Sequence, residues 1–214
     1  MFEIPSVLRK AEHNALSRIT LTGAVLDVGG SKKSAYQRLF RGSYTLTTVN
    51  IDPNALPDIT ADLENPLPIR EATYDAVLLI NVLEHIFEYR QLLLESVRVL
   101  KPGGILVVVV PFLFPIHPSP RDFHRFTEDA LRRECGRIGL KSITIEVLGR
   151  GVFSVRYLLL ERLMPLPLRL IGHFSIRFLA LSFDIAFNRL ARLFGKKYTF
   201  EDYALGYCLT ARKM

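Results

Sequence analysis

The residues best suited to chemistry stand directly after two predicted strands. Gly29 and Gly30 follow the apolar run Ala24–Val28, and Asp52 follows the Thr- and Val-rich run Tyr44–Ile51. A glycine turn between a strand and a helix lets backbone amides approach a ligand closely. An acid at the end of the next strand can accept both hydroxyls of a ribose. The two positions therefore predict a nucleotide-like ligand at the carboxyl edge of a sheet.

A second group of polar residues lies in the proline-rich stretch 111–127, PFLFPIHPSPRDFHRFT. Its titratable and charged side chains are His117, Arg121, Asp122, His124 and Arg125. His117 or His124 would act as a base or hold an acceptor molecule, Arg121 would contact an anion, and Asp122 would contact the acceptor. Alternatively, Asp122 and Arg125 only fasten the loop.

Glu84 and His85 form a third candidate for the acceptor side, directly after the run YDAVLLI at 74–80. His85 either points into the pocket or lies beside the start of a helix. Neither alternative is favoured by the residues alone.

The elements that would position these residues alternate between strand and helix. Strands are predicted at 24–28, 44–51, 59–61, 74–80, 105–110, 141–148 and 203–211, and helices at 33–41, 86–100 and 127–138, the last with Thr127 as N-cap. Such an order is typical of an α/β fold with a doubly wound, Rossmann-like and mostly parallel sheet. The whole chain, 1–214, is predicted to be one domain with a helical lead-in at 1–22.

Five motifs in order then carry a family resemblance. They are LDVGG at 26–30, Asn50-Ile-Asp52, Asp62-Leu63, YDAVLLINVLEHI at 74–86 and LKPGGILVVVVP at 100–111. With them the chain resembles the class I S-adenosylmethionine-dependent methyltransferases, of the kind known as methyltransferase domain type 11. The resemblance implies a seven-stranded sheet with an antiparallel last strand, and S-adenosylmethionine as cofactor.

The resemblance also implies roles for single residues at the cofactor. Asp52 would bind the ribose, Asp62 with Leu63 the adenine, and Gly29 with Gly30 the amino-acid part. Asp27 would hold the loop or reach the ammonium through water. Asn81 and Val82 would line the floor beneath the methionine.

The absence of two sequence signatures narrows the choice of the atom that is methylated. It contains no [DNS]-P-P-[YFW] signature of enzymes that methylate planar amines or amides, and no Pro-Cys nucleophile. An oxygen atom, or an activated ring carbon, is therefore the expected acceptor. No His or Cys cluster has metal-site spacing, so no metal is expected. Ser31 and Lys33 stand where the family has glycines, which leaves open a catalytically inactive scaffold, and an oxidoreductase is the third alternative.

Residues 150–200 form an insertion before the last strand. Residues 152–197 contain six Arg and two Lys but only two acidic residues, Glu161 and Asp184, and most of the stretch is apolar. Pro165 and Pro167 divide the segment into predicted helices at about 153–163 and 169–194. Three interpretations stay open: a foot on a membrane surface, a cap over the acceptor pocket, or a homodimer face. A membrane foot would favour a lipid-linked acceptor such as a polyprenyl-carried glycan or a quinone precursor.

Composition excludes several other classes. With 49% hydrophobic and 23% charged residues, the 214-residue chain is neither disordered nor a disulfide scaffold. Cys135 and Cys208 are expected to be free thiols. The net charge of +7 is concentrated in an apolar segment, so nucleic acid is not an expected partner. A charged N-terminus and the absence of a long uncharged run predict a cytoplasmic protein, peripheral to the membrane's inner face if the foot exists.

Overall fold

The sheet of the protein carries seven strands. The computed structural model describes residues 6–161, 166–195 and 200–214. The strands are β1 Gly23–Val28, β2 Tyr44–Asn50, β3 Ile59–Thr60, β4 Tyr74–Ile80, β5 Leu100–Pro111, β6 Leu140–Arg150 and β7 Ala204–Lys213. Their order is β3-β2-β1-β4-β5-β7-β6, with β7 antiparallel to both neighbours. The predicted fold class is confirmed, including the antiparallel last strand.

Helices cover both faces of this sheet. They are α1 Val7–Leu16, α2 Tyr89–Val99, α3 Glu128–Arg137, α4 Val152–Glu161 and α5 Leu166–Leu193. One core cluster joins the sheet to α2 and α3 through Leu92, Leu93 and Leu131. The other joins it to α1 and α4 through Leu16 and Leu158. Burial on both faces explains why the central strands are continuous apolar runs.

Two predicted helices differ from the structure. Only a single 3₁₀ turn, Ala35–Arg38, forms within 33–41. The hydroxyls of Ser31 and Ser34 accept hydrogen bonds from nearby backbone amides, at 3.1 and 3.2 Å, and such local bonds compete with a helix. The predicted helix 86–100 is preceded by a 3₁₀ turn, Leu83–His85, and begins only at Tyr89.

The insertion folds as two helices, as predicted. Asp184 of α5 accepts hydrogen bonds from the backbone amides of Phe153 and Ser154 in α4, both at 2.9 Å, and from the Ser154 hydroxyl at 2.7 Å. This buried carboxylate therefore ties α5 to the first turn of α4. The predicted break at Pro165 and the basic pair Lys196-Lys197 lie outside the described residues. Of the helices that the structure describes, none is long and apolar enough to cross a membrane.

Candidate functional site

The glycine turn after β1 is fastened to β2. The Gly29 amide donates to the Val49 carbonyl at 2.7 Å, and the Asn50 side-chain amide donates to the carbonyls of Gly29 and Gly30 at 2.8 and 3.1 Å. Gly29 has a φ of +76°, and a Cβ there would lie 2.5 Å from Val82 Cγ2. Asn50, which the sequence offered only as part of the Asn50-Ile-Asp52 motif, thus fixes the position of the turn through its side chain.

Asp27 is the buried support of the same turn. Its carboxylate accepts hydrogen bonds from the Tyr36 hydroxyl, at 2.9 and 3.0 Å, and from Gln37 Nε2, at 2.7 Å. Burial raises the pKa of Asp27 to about 6, although both donors act in the opposite direction. A Cβ on Gly30 would lie 2.2 Å from Asp27 Oδ2, so the glycine leaves room for the carboxylate. These contacts fit the loop-holding role; contact with a cofactor stays a prediction.

A cleft of about 920 Å³ opens at the carboxyl ends of the strands. Six of the residues expected at the cofactor line it: Gly29, Asp52, Asp62, Leu63, Asn81 and Val82. His85 and Arg121, expected on the acceptor side, line it as well. Asp27 and Gly30 are not among its lining residues. The strand topology therefore brings most of the predicted cofactor residues to one cavity.

Asp52 and Asp62 also form local turns. The Asp52 carboxylate accepts from the Asn54 amide at 2.9 Å, and that of Asp62 accepts from the Glu64 amide at 3.0 Å. Both residues are exposed at the cleft. Turn formation and ligand binding are therefore compatible at each of these positions, and the ribose and adenine roles stay predictions.

The 111–127 loop is fixed at several points. The amides of Phe123 and His124 donate to the Glu84 carbonyl at 2.7 and 3.2 Å. Asp122 forms an ion pair with the Arg125 guanidinium and accepts from the His117 amide at 3.0 Å. The guanidinium and this amide hold the pKa of Asp122 well below its usual range. Fastening of the loop by Asp122 and Arg125, the alternative left open above, is thus the arrangement in the structure.

A second cleft of about 490 Å³ lies beside the loop and α4. It is lined by Phe112, Leu113, Phe114, Pro115, Ile116, Asp122, Phe123, His124, Arg125, Val155 and Leu159. Phe123 also lines the first cleft, so the two cavities are neighbours. The ring of His124 packs against the aromatic rings of Phe87 and Tyr89, with Nε2 3.2 Å from the Phe87 carbonyl oxygen.

Glu84, His85 and His117 form a cluster that was not predicted from the sequence. The Nε2 atoms of both histidines lie 3.7 Å from Glu84 Oε1. The neighbouring Glu84 carboxylate raises the pKa of His117, while partial burial of the ring opposes it. The Glu84-His85 pair was noted in the sequence, but His117 comes 32 positions later on an irregular loop. No spacing rule could have joined it to the pair.

Residues 26–108 match the family model described as a methyltransferase domain. A demethylmenaquinone methyltransferase of Tropheryma whipplei (strain Twist) is 32% identical over a region that covers 42% of each chain. The chain therefore spans less than half of the length of that curated relative.

Two solved structures show the same fold. An S-adenosylmethionine-dependent methyltransferase from Archaeoglobus fulgidus has a TM-score of 0.60 and 15% identity, over 95% of this chain and 94% of that one. Phosphoethanolamine N-methyltransferase 2 of Haemonchus contortus, solved with S-adenosylhomocysteine, has a TM-score of 0.59 and 16% identity, over 94% and 52%. Both structures confirm the predicted fold, and the matched domain supports the predicted family and its cofactor.

Proposed function

We propose that this chain is a class I S-adenosylmethionine-dependent methyltransferase that methylates an oxygen atom of an apolar, lipid- or glycan-linked acceptor; its fold and its matched domain support the enzyme class. An activated ring carbon is the other acceptor atom compatible with the sequence. The observation that carries the proposal is the adjacency of two clefts. One is lined by the predicted cofactor residues, and the other is largely apolar.

The two clefts suit an in-line displacement. Methyl transfer from a sulfonium needs the acceptor atom close to the methyl group and opposite the leaving sulfur, so the protein mainly aligns the two molecules. Phe123 borders both clefts, and His85 and Arg121 lie on the cofactor side of it. An acceptor that fills the apolar cleft would present its polar end to these side chains.

An oxygen acceptor must also lose a proton. His85 and His117 have Nδ1 next to backbone carbonyl oxygens, at 2.6 and 3.1 Å, so the lone pair of each neutral ring lies on Nε2. His85 lines the cofactor cleft and is therefore the first candidate for the base, with His117 beside it across Glu84. His124 lines the apolar cleft and is the third candidate. Arg121 lines the cofactor cleft and would orient the polar end of the acceptor, while the buried Glu84 would act only through His85 and His117. Asp122 would contribute mainly by holding the loop.

The insertion supports an acceptor held at a membrane surface. Its second helix exposes apolar side chains beside Arg189 and Arg192: Leu179, Phe183, Ile185, Phe187, Leu190 and Leu193. Basic residues next to exposed apolar ones are typical of helices that lie in a lipid headgroup region. Val155 and Leu159 of α4 line the apolar cleft, which links the insertion to the acceptor side. The curated relative is named for a quinone acceptor, and a quinone precursor is one of the compounds to test first.

Calorimetric titration with S-adenosylmethionine and S-adenosylhomocysteine tests the cofactor half of the proposal. We expect micromolar binding by the wild-type protein and at least a tenfold loss in Asp52→Ala. Asp129→Ala, which removes an exposed carboxylate in the first turn of α3, is the matched control and should bind as wild type does.

Failure of the folded protein to bind either compound would overturn the enzyme proposal and leave the scaffold alternative. Binding of a nicotinamide dinucleotide instead would favour the oxidoreductase. Once binding is established, transfer of a labelled methyl group to quinone precursors and polyprenyl-linked glycans would identify the acceptor class.

A further inference from the structure

Glu84 presents an unusual electrostatic situation. It lies in the 3₁₀ turn directly after β4, and its side chain is fully buried. Neither carboxylate oxygen accepts a hydrogen bond from any residue that the structure describes. A buried carboxylate without hydrogen bonds costs several kcal/mol unless a cation or a proton compensates it. Arg125 interacts with Glu84 electrostatically but donates no hydrogen bond to it, so the position calls for a closer positively charged partner.

Two imidazole rings lie beside this carboxylate, and both have Nδ1 at a backbone carbonyl and Nε2 toward Glu84. His85 Nδ1 lies 2.6 Å from the Arg121 carbonyl oxygen, and His117 Nδ1 lies 3.1 Å from the Pro115 carbonyl oxygen. A carbonyl can only accept, so Nδ1 carries the hydrogen in both rings and the lone pair resides on Nε2. Both Nε2 atoms lie 3.7 Å from Glu84 Oε1. A hydrogen bond from the remote ring nitrogen to a carbonyl is how metal-ligating histidines are usually oriented.

The separations fit one bound ion. One ligand atom from each residue lies within 4.8 Å of the other two. A zinc ion at about 2.0–2.1 Å from nitrogen and oxygen ligands keeps any two of them no more than about 4.2 Å apart. The two distances of 3.7 Å satisfy this limit without movement, and the third separation, between the histidine ligand atoms and within 4.8 Å, needs at most a small shift of one ring.

We infer that Glu84, His85 and His117 form a site for a divalent transition-metal ion, with Zn²⁺ as the first candidate. Two histidines and one carboxylate are a common ligand set for zinc, and they leave one position of a tetrahedron open. Imidazole ligands disfavour Mg²⁺ and Ca²⁺, which prefer oxygen. Of the three residues, His85 lines the cofactor cleft, so the ion would lie beside the place where donor and acceptor would meet.

The role of the ion rests on the proposed function. An acceptor hydroxyl that occupies the open position loses its proton to solvent more readily, because coordination lowers the pKa of a bound O–H group. The resulting oxygen then forms a bond to the methyl carbon while the sulfur–methyl bond breaks. The electron pair of that bond stays on sulfur, and S-adenosylhomocysteine leaves as a neutral thioether.

Metal binding by the full-length protein tests the inference without any turnover. The protein is stripped with a chelator, dialysed and titrated with Zn²⁺ by calorimetry and with Co²⁺ by visible absorption. We expect one equivalent of each ion and Co²⁺ ligand-field bands typical of low coordination number. Loss of one ligand in His117→Ala or Glu84→Gln should weaken Zn²⁺ binding at least about 100-fold.

His13→Ala is the matched control, since His13 lies on α1 outside the cluster and its loss should leave metal affinity unchanged. Glu84→Gln removes a buried charge at nearly constant volume, so it guards against misfolding of the alanine variant. Less than one tenth of an equivalent of metal in wild type, or equal affinity in all three variants, would overturn the site. In that case Glu84 is compensated by a protonated histidine.

S-adenosylhomocysteine titration of the same samples separates this inference from the proposed function. Metal binding with no cofactor binding would keep the site but remove its role in methyl transfer. Cofactor binding with no metal would overturn the site and leave the methyltransferase proposal intact.

Discussion

At the residue scale, Asp27 links the glycine turn to the pH dependence of stability. Its pKa in the folded protein is about 6, above the ordinary value of 3.8, so the folded state holds the proton more tightly than the unfolded chain. The free energy of unfolding should therefore fall as pH rises from about 4 to about 6. Asp27→Asn should remove this dependence, on the order of 1–3 kcal/mol, in urea unfolding of the cofactor-free protein.

Asp58→Asn is the control with the opposite sign. The Lys32 ammonium and the Thr48 amide and hydroxyl lower the pKa of Asp58 to about 2. Its contribution is thus fully present above the ordinary value of 3.8 and is lost only as pH falls toward 2. The difference between wild type and this variant should stay constant from about pH 5 to pH 7. A wild-type profile that parallels that of Asp27→Asn would contradict the assignment.

Cofactor binding should require the absence of a side chain at Gly29, in addition to the positive φ of this residue. Gly29→Ala places a methyl group 2.5 Å from Val82 Cγ2 at the cleft, and should weaken S-adenosylhomocysteine binding at least tenfold. Gly103 has a similar φ of +78° but open space around its Cα. Gly103→Ala therefore carries the same backbone penalty, about 1–2 kcal/mol, without the steric clash. Equal affinity in the two variants would show that the close approach at Gly29 is not needed.

At the scale of elements, the insertion depends on one buried carboxylate. Asp184→Ala leaves the Phe153 and Ser154 amides of α4 without their acceptor and should release α5 from α4. Loss of such a cap costs about 0.5–2 kcal/mol, and more where the donors are buried. Hydrogen exchange should show faster exchange in α4 and α5 with little change in the sheet. Arg189→Ala, on the exposed side of α5, is the control.

The sequence predicts the sheet well and the short helices less well. The strand Tyr74–Ile80 is correct to the residue, because an uninterrupted apolar run buried on both faces leaves little choice of boundaries. The helix predicted for 33–41 is wrong because serine side chains accept hydrogen bonds from the backbone amides locally. The predicted second helix of the insertion is confirmed, but its attachment through Asp184 was not foreseen. Asp184 bonds amides 30 and 31 positions away, a contact without a local signal.

At the scale of the whole molecule, the gathering of the predicted cofactor residues at one cleft was predictable and the cluster beside it was not. Gly29, Asp52, Asp62 and Asn81 each follow a strand, and parallel strands bring their carboxyl ends to one edge. Topology alone therefore assembles the cofactor cleft. His117 reaches Glu84 only because a loop, held by the Asp122–Arg125 pair, folds back over the edge of the sheet. The path of this loop is determined by side-chain contacts, and these leave no periodic pattern in the sequence.

The exposed apolar side chains of α5 lie on the same helix as the exposed Arg189 and Arg192, which favours contact with an anionic membrane surface. Leu193 and Phe194 are 82% and 75% exposed, at the end of a helix that also carries Arg189 and Arg192. The protein should sediment with anionic phosphatidylglycerol vesicles and much less with neutral phosphatidylcholine, because arginine adds electrostatic attraction to apolar insertion. The double variant Leu193→Glu/Phe194→Glu should lower the partition coefficient at least tenfold.

Met214→Glu is the matched control, since it adds a charge at another residue that is 77% exposed. An unchanged partition coefficient in the double variant would remove the membrane foot. Light scattering on the same samples distinguishes the alternatives. A wild-type dimer that the double variant converts to a monomer would make this end of the molecule a subunit interface. If wild type and the double variant are both monomers that do not bind vesicles, the remaining interpretation of the insertion is a cap over the proposed acceptor cleft. Val155 and Leu159 of α4 already line that cleft.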